Sequence, residues 1–325
     1  SQVLFLATAN NREGISAPLM DRMEVIEVPG YTRNEKLGIA REFLVPKQLS
    51  SHGLTDERLD FTDEGVGTIV DSYTREAGVR GLERQIAAVC RATAVRLAEG
   101  VDVRDSATPE HVEQVLGPRR YRPETAEREL SAGVATGLAW TPSGGDLLFI
   151  EATKMPGKAG VVLTGNLRNV MQESAALAVS YVRSRAERLH LDPEWLKSID
   201  LHLHVPKHAT PKDGPSAGVA MFTAVSSLLL GAPVRGDLAM TGEISLRGKV
   251  LKVGGVKEKL LAAHRAGIRE VLLPAGNKSD LDELPDDVKA ELDVTLVSHV
   301  DEVLPLALQA PKVSPASVRE EAAEL

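Results

Sequence analysis

The chain has a single cysteine, Cys90. No disulfide can therefore form within it, and no paired thiolates can hold zinc. Cys90 lies in a helical pattern and reads as a small buried apolar residue. Aromatic residues make up only 3% of the sequence, so any core must rest on Val, Leu, Ile and Ala. There is no excess of positive charge either. The net charge of −8 makes the chain as a whole a poor polyanion binder, so nucleic acid is not indicated as a partner. No apolar run reaches the length of a membrane span, and the opening residues do not read as a signal peptide. Neither G-x-x-x-x-G-K-[ST] nor H-E-x-x-H occurs, so two common phosphate and zinc motifs are missing.

What is present is enough chain, 325 residues, for two or three domains. "QVLFLATAN" reads at once as a buried strand and "MEVIEV" as a second. Such an opening predicts a piece cut inside a domain. From "TRNEKLGIAREFLVPKQL" to "EHVEQVLG" the spacing is helical. Asn34 is a candidate cap for the first helix, and Thr62 for the next, with acids in its first turn. Gly100 closes the long helix "GLERQIAAVCRATAVRLAEG". Thr108 caps "PEHVEQVLG", with Pro109 at its first position. Residues 31–117 thus read as a small all-helical domain. The polar, Pro-containing "PRRYRPETAERELSAG" reads as a linker.

Beyond the linker the texture changes. "ATGLAW", "GDLLFIEAT" and "GVVLTG" are short strands. A long helix, "NLRNVMQESAALAVSYVRSRAERL", precedes the strand "DLHLHVP". After "PKDGPSAG" and its apolar helix come "LAMTGEISL" and "GKVLKVGG" as strands and "VKEKLLAAHRAG" as a helix. The strands "EVLLP" and "VTLVS" and a helix at "VDEVLPLALQ" complete the pattern. The fold class is α+β with more than one domain.

Ser216 lies between a Gly-Pro turn and an apolar helix. The free N–H groups and positive dipole end of that helix could hold a developing oxyanion, with Ser216 as nucleophile. Capping the helix is the commoner use of such a serine. At about 100° per residue, Lys259 falls inside the apolar arc of Val256, Ala262, Ala263 and Ala266. Lys257, Glu258, His264 and Arg265 fall outside it. Lys259 is then either a snorkelling lysine or a desolvated amine with a lowered pKa, fit to act as a base. His202 and His204 share a strand face, but no third metal ligand accompanies them, and no metal is expected.

"TPKDGPSAG", "MTGEISLRGKVLKVGGVKEKLLAAHRAG" and "PGKAG…LTGNLRNVMQESAALA" resemble the proteolytic domain of Lon, the ATP-dependent serine protease. "LATANNREGISAPLMDRMEVIEVPGYT" and "YTREAGVRGLERQI" resemble the end of its AAA+ module. The resemblance runs nearly from end to end. It implies the end of an AAA+ α/β subdomain over 1–30 and a helical AAA+ small subdomain over 31–117. A linker over 118–129, a mixed α/β proteolytic domain like domain 2 of ribosomal protein S5 over 130–311, and a tail over 312–325 follow. It makes Ser216 the nucleophile and Lys259 its base, with no third member required. Thr241 orients the amine, Asp213 shapes the nucleophile loop, and Glu151, His202 and His204 lie around the site. Asn10 resembles a sensor-1 residue, Arg22 an arginine finger and Arg80 a sensor-2 residue.

The family further implies unfolded or damaged proteins as substrates and a homo-hexameric ring for the full-length protein. It needs no cofactor for peptide hydrolysis, and ATP with Mg2+ only in the full-length protein. A cytoplasmic location follows, or the mitochondrial matrix in a eukaryote, with no membrane attachment. Neither Walker motif is read in these residues, so the chain alone is expected not to hydrolyse ATP. Lys207 and His208 replace an acid and a glycine of the family pattern before the nucleophile loop, which bears on that loop's shape. Three alternatives remain open: a folded but inactive fragment, a non-proteolytic Lon-like assembly module, and a small-molecule acyl hydrolase with a Ser–Lys pair.

Overall fold

The structure is a computed structural model that describes residues 3–9, 15–26, 30–121, 131–141, 144–206 and 212–309. Residues 142–144 apart, the chain divides into one compact unit ending at residue 122 and a second beginning at residue 123.

The first unit begins with residues 3–9, which form no strand. Leu4, Phe5 and Leu6 are more than four-fifths exposed, at 84%, 84% and 89%. The two buried strands expected here are absent among the described residues: 24–26 are also outside any strand, and α1 (Ala17–Met20) is a single turn. A strand is stable only when neighbours take its N–H and C=O groups, and no described strand pairs with this stretch.

The helices match the sequence pattern more closely. α2 (Arg33–Ile39) is capped by Thr32, not by Asn34. The Thr32 hydroxyl accepts the Glu35 N–H at 3.1 Å, and the Glu35 carboxylate accepts the Thr32 N–H at 2.7 Å. This reciprocal box satisfies two donors, which a lone Asn34 could not do. The helix continues through a π turn, Ala40–Leu44, into α3 (Val45–Ser51). Pro46 lacks an N–H and crowds the carbonyl of residue 42, and the wider turn before it absorbs the mismatch.

The unit is not all-helical as expected: β1 (Leu59–Phe61) and β2 (Asp105–Ala107), too short to show a period in the sequence, form a parallel pair. α4 (Asp63–Tyr73) and α6 (Pro109–Leu116) carry the expected caps Thr62 and Thr108. α5 (Arg80–Ala98) lies between them in the chain and buries Leu82, Ile86 and Cys90. Burial pushes the Cys90 thiol up to about 11.

In the second unit a seven-stranded sheet has the order β11-β10-β7-β3-β4-β6-β5. Its strands are β3 (Val134–Thr141), β4 (Gly144–Pro156), β5 (Val161–Thr164), β6 (Ile199–His204), β7 (Leu238–Met240), β10 (Glu270–Pro274) and β11 (Asp293–Val297). The pair β8 (Glu243–Ile244) and β9 (Val250–Leu251) forms a separate hairpin. Alternate residues serve opposite faces, as a period of two requires. Leu238 and Met240 of β7 and Leu272 of β10 join the core under α7 (Asn169–Ser184), α9 (Gly218–Leu230) and α12 (Val300–Ala307). Ala239, Val271 and Leu273 join the core under α10 (Val256–Arg265) and α11 (Asp286–Glu291). Helices cover both faces of β7 and β10, so Leu238–Met240 and Val271–Leu273 are apolar throughout. The short helix α8 (Pro193–Lys197) completes the elements between α7 and β6.

Candidate active site

α9 is strongly apolar, with all but two of its 13 residues buried. Such a helix sits at the centre of its unit. A 3-10 turn, Pro215–Ala217, leads into it and carries Ser216 half-buried. Ser216 is not a helix cap. The cap position of α9 is Ala217, and neither the turn nor the helix receives a side-chain cap bond.

The main chain of Ser216 is held from the other side. Its carbonyl accepts the Thr241 hydroxyl at 3.2 Å and the Gly242 N–H at 2.9 Å. The Val219 N–H returns a bond to the Gly242 carbonyl at 3.0 Å. "LAMTGEISL" is therefore not one strand. The chain leaves the sheet after β7, because Gly242 takes φ +157° and turns its N–H toward Ser216. The chemical role of the glycine in "MTGE" is not evident from spacing, although a glycine inside a strand pattern signals such a departure.

Lys259 is the fourth residue of α10 and is 2% exposed. Its apolar neighbours on the helix, Val256, Leu260 and Ala263, belong to the same buried cluster. The ammonium donates to Thr241 Oγ1 at 3.2 Å. Burial pushes its pKa down to about 8, against a smaller opposite pull from Glu258. Thr241, itself fully buried, thus touches both candidate residues: it accepts from the Lys259 amine and donates to the Ser216 carbonyl. Among the described residues no hydrogen bond joins Ser216 Oγ directly to Lys259 Nζ.

The other candidate residues sit on other elements, except Asp213, which lies three residues before Ser216. Asp213 is exposed, and its carboxylate accepts the Gly214 N–H at 3.0 Å. Glu151, exposed on β4, is the register partner of His204 on β6. The Thr164 hydroxyl of β5 bonds His202 Nε2 at 2.9 Å and His204 Nδ1 at 2.6 Å. These groups share one polar face of β4, β6 and β5. Among the described residues no group of three or more His, Cys, Asp or Glu is arranged to hold a metal ion. In the first unit Arg80 opens α5 and is exposed, and Arg22 is exposed in the turn after α1. Asn10, Lys207 and His208 lie outside the described residues. No helix among the described residues is long and apolar enough to cross a membrane.

Residues 106–310 match the Lon protease (S16) C-terminal proteolytic domain, and residues 50–105 match the Lon protease AAA+ ATPase lid domain. The chain is 75% identical over 316 residues to a Lon protease 2 of Sorangium cellulosum (strain So ce56), covering 97% of this chain and 39% of that protein. It is 56% identical over 313 residues to a Lon protease 2 of Myxococcus xanthus, covering 96% and 38%. With a Lon protease of Anaeromyxobacter dehalogenans (strain 2CP-C) the identity is 53% over 312 residues, covering 95% and 37%. The chain belongs to the Lon protease family. It spans about two fifths of the length of these relatives.

Proposed function

We propose that the chain is the proteolytic part of an ATP-dependent serine endopeptidase working through a Ser216–Lys259 dyad. One observation carries the reading: a buried helical lysine with a lowered pKa shares a threonine hydroxyl with the serine turn. With its pKa near 8, about a tenth of the amine is free base at pH 7, against one part in a few thousand for an ordinary lysine. Neutral Lys259 takes the hydroxyl proton of Ser216 as Ser216 Oγ attacks the peptide carbonyl. Main-chain N–H groups at the start of the serine turn hold the tetrahedral oxyanion. The C–N bond then breaks, and the amine leaves with the proton from Lys259. Water, deprotonated by the same amine, hydrolyses the acyl-enzyme. Thr241 orients the amine and Asp213 shapes the loop, while Glu151, His202 and His204 stand in supporting positions.

In this reading the substrates are unfolded or damaged proteins, and the whole protein forms a homo-hexameric ring. Peptide hydrolysis itself uses no cofactor. ATP and Mg2+ act in the whole protein, where Asn10, Arg22 and Arg80 sense nucleotide. The chain has no G-x-x-x-x-G-K-[ST] loop to cradle phosphates, and no step of peptide hydrolysis passes through nucleotide. Cleavage of a fluorogenic unfolded peptide without ATP tests the reading. Wild type should cleave it, and Ser216→Ala and Lys259→Ala should each abolish cleavage while keeping the fold. Full activity in Ser216→Ala overturns the dyad.

A second reading is favoured by the missing direct bond between Ser216 Oγ and Lys259 Nζ. The dyad is then at rest in this chain, and the ATPase half or ring closure moves the amine from Thr241 onto Ser216. A wild type that fails both to cleave peptide and to react with a serine-directed electrophile favours that reading.

A further inference from the structure

Between β6 and Ser216 the chain passes through Lys212, and four of its hydrogen bonds fix that residue. Its N–H donates to the Asn166 carbonyl at 3.1 Å, and its own carbonyl accepts the Arg168 N–H at 2.9 Å. Its ammonium donates to the Gly165 carbonyl at 2.8 Å and the Val205 carbonyl at 3.3 Å. All four partners lie at the ends of β5 and β6 or in the turn between β5 and α7. Backbone meets backbone there: Gly165 has φ +113°, and a Cβ on it would come within 2.1 Å of the Val205 carbonyl oxygen. No longer side chain at that glycine can enter to satisfy those two carbonyls. An ammonium carries three donors and can serve both from one point.

The geometry points to Lys212 as a positioning residue for Ser216. The stretch from Lys212 to Ser216 is short and fixed at both ends. Lys212 ties one end to the β5–α7 turn, and Thr241 with Gly242 ties the other to the break after β7. Between them, the Asp213 carboxylate bonds its own neighbour's N–H. If the ammonium is removed, the first end is left to main-chain bonds alone and the serine hydroxyl loses a fixed approach. A displacement of about 1 Å in a reacting group can lower a rate by about a hundredfold. The inference rests on Ser216 being the nucleophile.

The test uses the full chain as wild type, Lys212→Met, Lys212→Ala, Lys212→Arg, and Lys158→Met as a control at an exposed lysine. Amide hydrogen exchange over 212–217 is read beside kcat and KM for the fluorogenic peptide. In Lys212→Met we expect faster exchange over 212–217 with protection of α9 unchanged. We also expect kcat to fall about tenfold or more with KM within about twofold, and Lys212→Arg to recover part of both. The proposal is overturned if a folded Met or Ala variant keeps wild-type loop exchange, or keeps kcat within about twofold. It also falls if both variants lose protection in α9, because Lys212 is then a folding residue. Should wild type itself prove inactive, the dyad is at rest in this chain, and hydrogen exchange over 212–217 alone decides whether Lys212 holds the loop.

Discussion

Two lysines are buried among the described residues, one in each unit: Lys36 at 5% exposure and Lys259 at 2%. Both sit on helices whose apolar faces enter a core. Their partners differ. The ammonium of Lys36 donates to the main-chain carbonyl of Glu76. The carboxylate of Glu76 then accepts the N–H groups of Gly81 and Leu82 at 2.8 and 2.7 Å, closing the start of α5. Lys259 meets a threonine hydroxyl that is already engaged as a donor. A carbonyl can only accept, so it rewards the charged amine. The Thr241 hydroxyl, its one proton given to Ser216, also only accepts from Lys259, and burial among apolar residues outweighs that single bond. Lys36 thus ties α2 to the segment before α5, whereas Lys259 is a desolvated amine with a lowered pKa.

The sharpest test of that difference is to replace each lysine by methionine, which keeps the shape and removes the charge. In Lys259→Met, peptide cleavage should vanish while stability rises. The fall from 10.5 to about 8 corresponds to roughly 3 kcal/mol of destabilisation that the wild type carries at neutral pH. The sign comes from proton linkage. Below about pH 8 both folded and unfolded states hold the proton, so the folded state bears the whole penalty. Between about 8 and 10.5 the unfolded state binds more protons, and wild-type stability rises with pH. Urea unfolding should therefore show a gap between Lys259→Met and wild type that is largest at pH 7, shrinks from about pH 8 and closes only above about 10.5. A gap that does not change with pH breaks the comparison. The same pKa shapes the rate: kcat/KM for the peptide should rise about tenfold per pH unit below about 8 and then level off.

Lys36→Met should do the opposite. It leaves the Glu76 carbonyl without its ammonium donor and weakens the link to α5, at a loss of about 1–3 kcal/mol. Peptide cleavage should be unchanged. Differential scanning calorimetry with the cleavage assay separates the two outcomes, and a stabilised Lys36→Met would mean that burial, not the partner, governs both lysines.

The two sites were not equally visible in the sequence. Lys259 stands out because α10 has a clean apolar arc and the lysine falls inside it. Ser216 is ambiguous by pattern alone, and only the family motif separates it from a cap. Nothing in "RNEKLGIAREFL" marks Lys36, whose burial depends on Glu76, forty residues away. The cap at Thr32 could be read from T-x-x-E, whereas Asn34 qualifies by residue type alone, with Leu37 three positions on. Periodicity cannot detect α8 or α11, with five and six residues, since neither completes two turns. It overstates residues 3–6, whose apolar run says strand although no described strand pairs with them. The break at Thr241–Gly242 depends on a contact with Ser216 that no local pattern contains.

The smallest expected effects come from two threonines that make the same pair of bonds in the two units. Thr241 accepts from the Lys259 amine and donates to the Ser216 carbonyl, both at 3.2 Å. Thr62 accepts the Gly65 N–H at 3.0 Å and donates to the Ala107 carbonyl at 3.2 Å. In each, valine removes both bonds without opening a cavity. Thr241→Val should lower kcat by about tenfold, as the amine loses its guide while Gly242 still holds the serine carbonyl. Its pH–rate plateau should begin at lower pH, because the ammonium has lost its hydroxyl acceptor. Thr62→Val should leave kcat and the plateau in place and lower stability by about 1 kcal/mol, the ordinary loss of a helix cap. If Thr241→Val shows only that loss of stability, its hydroxyl is structural as well, and the contrast between the units narrows to the lysines.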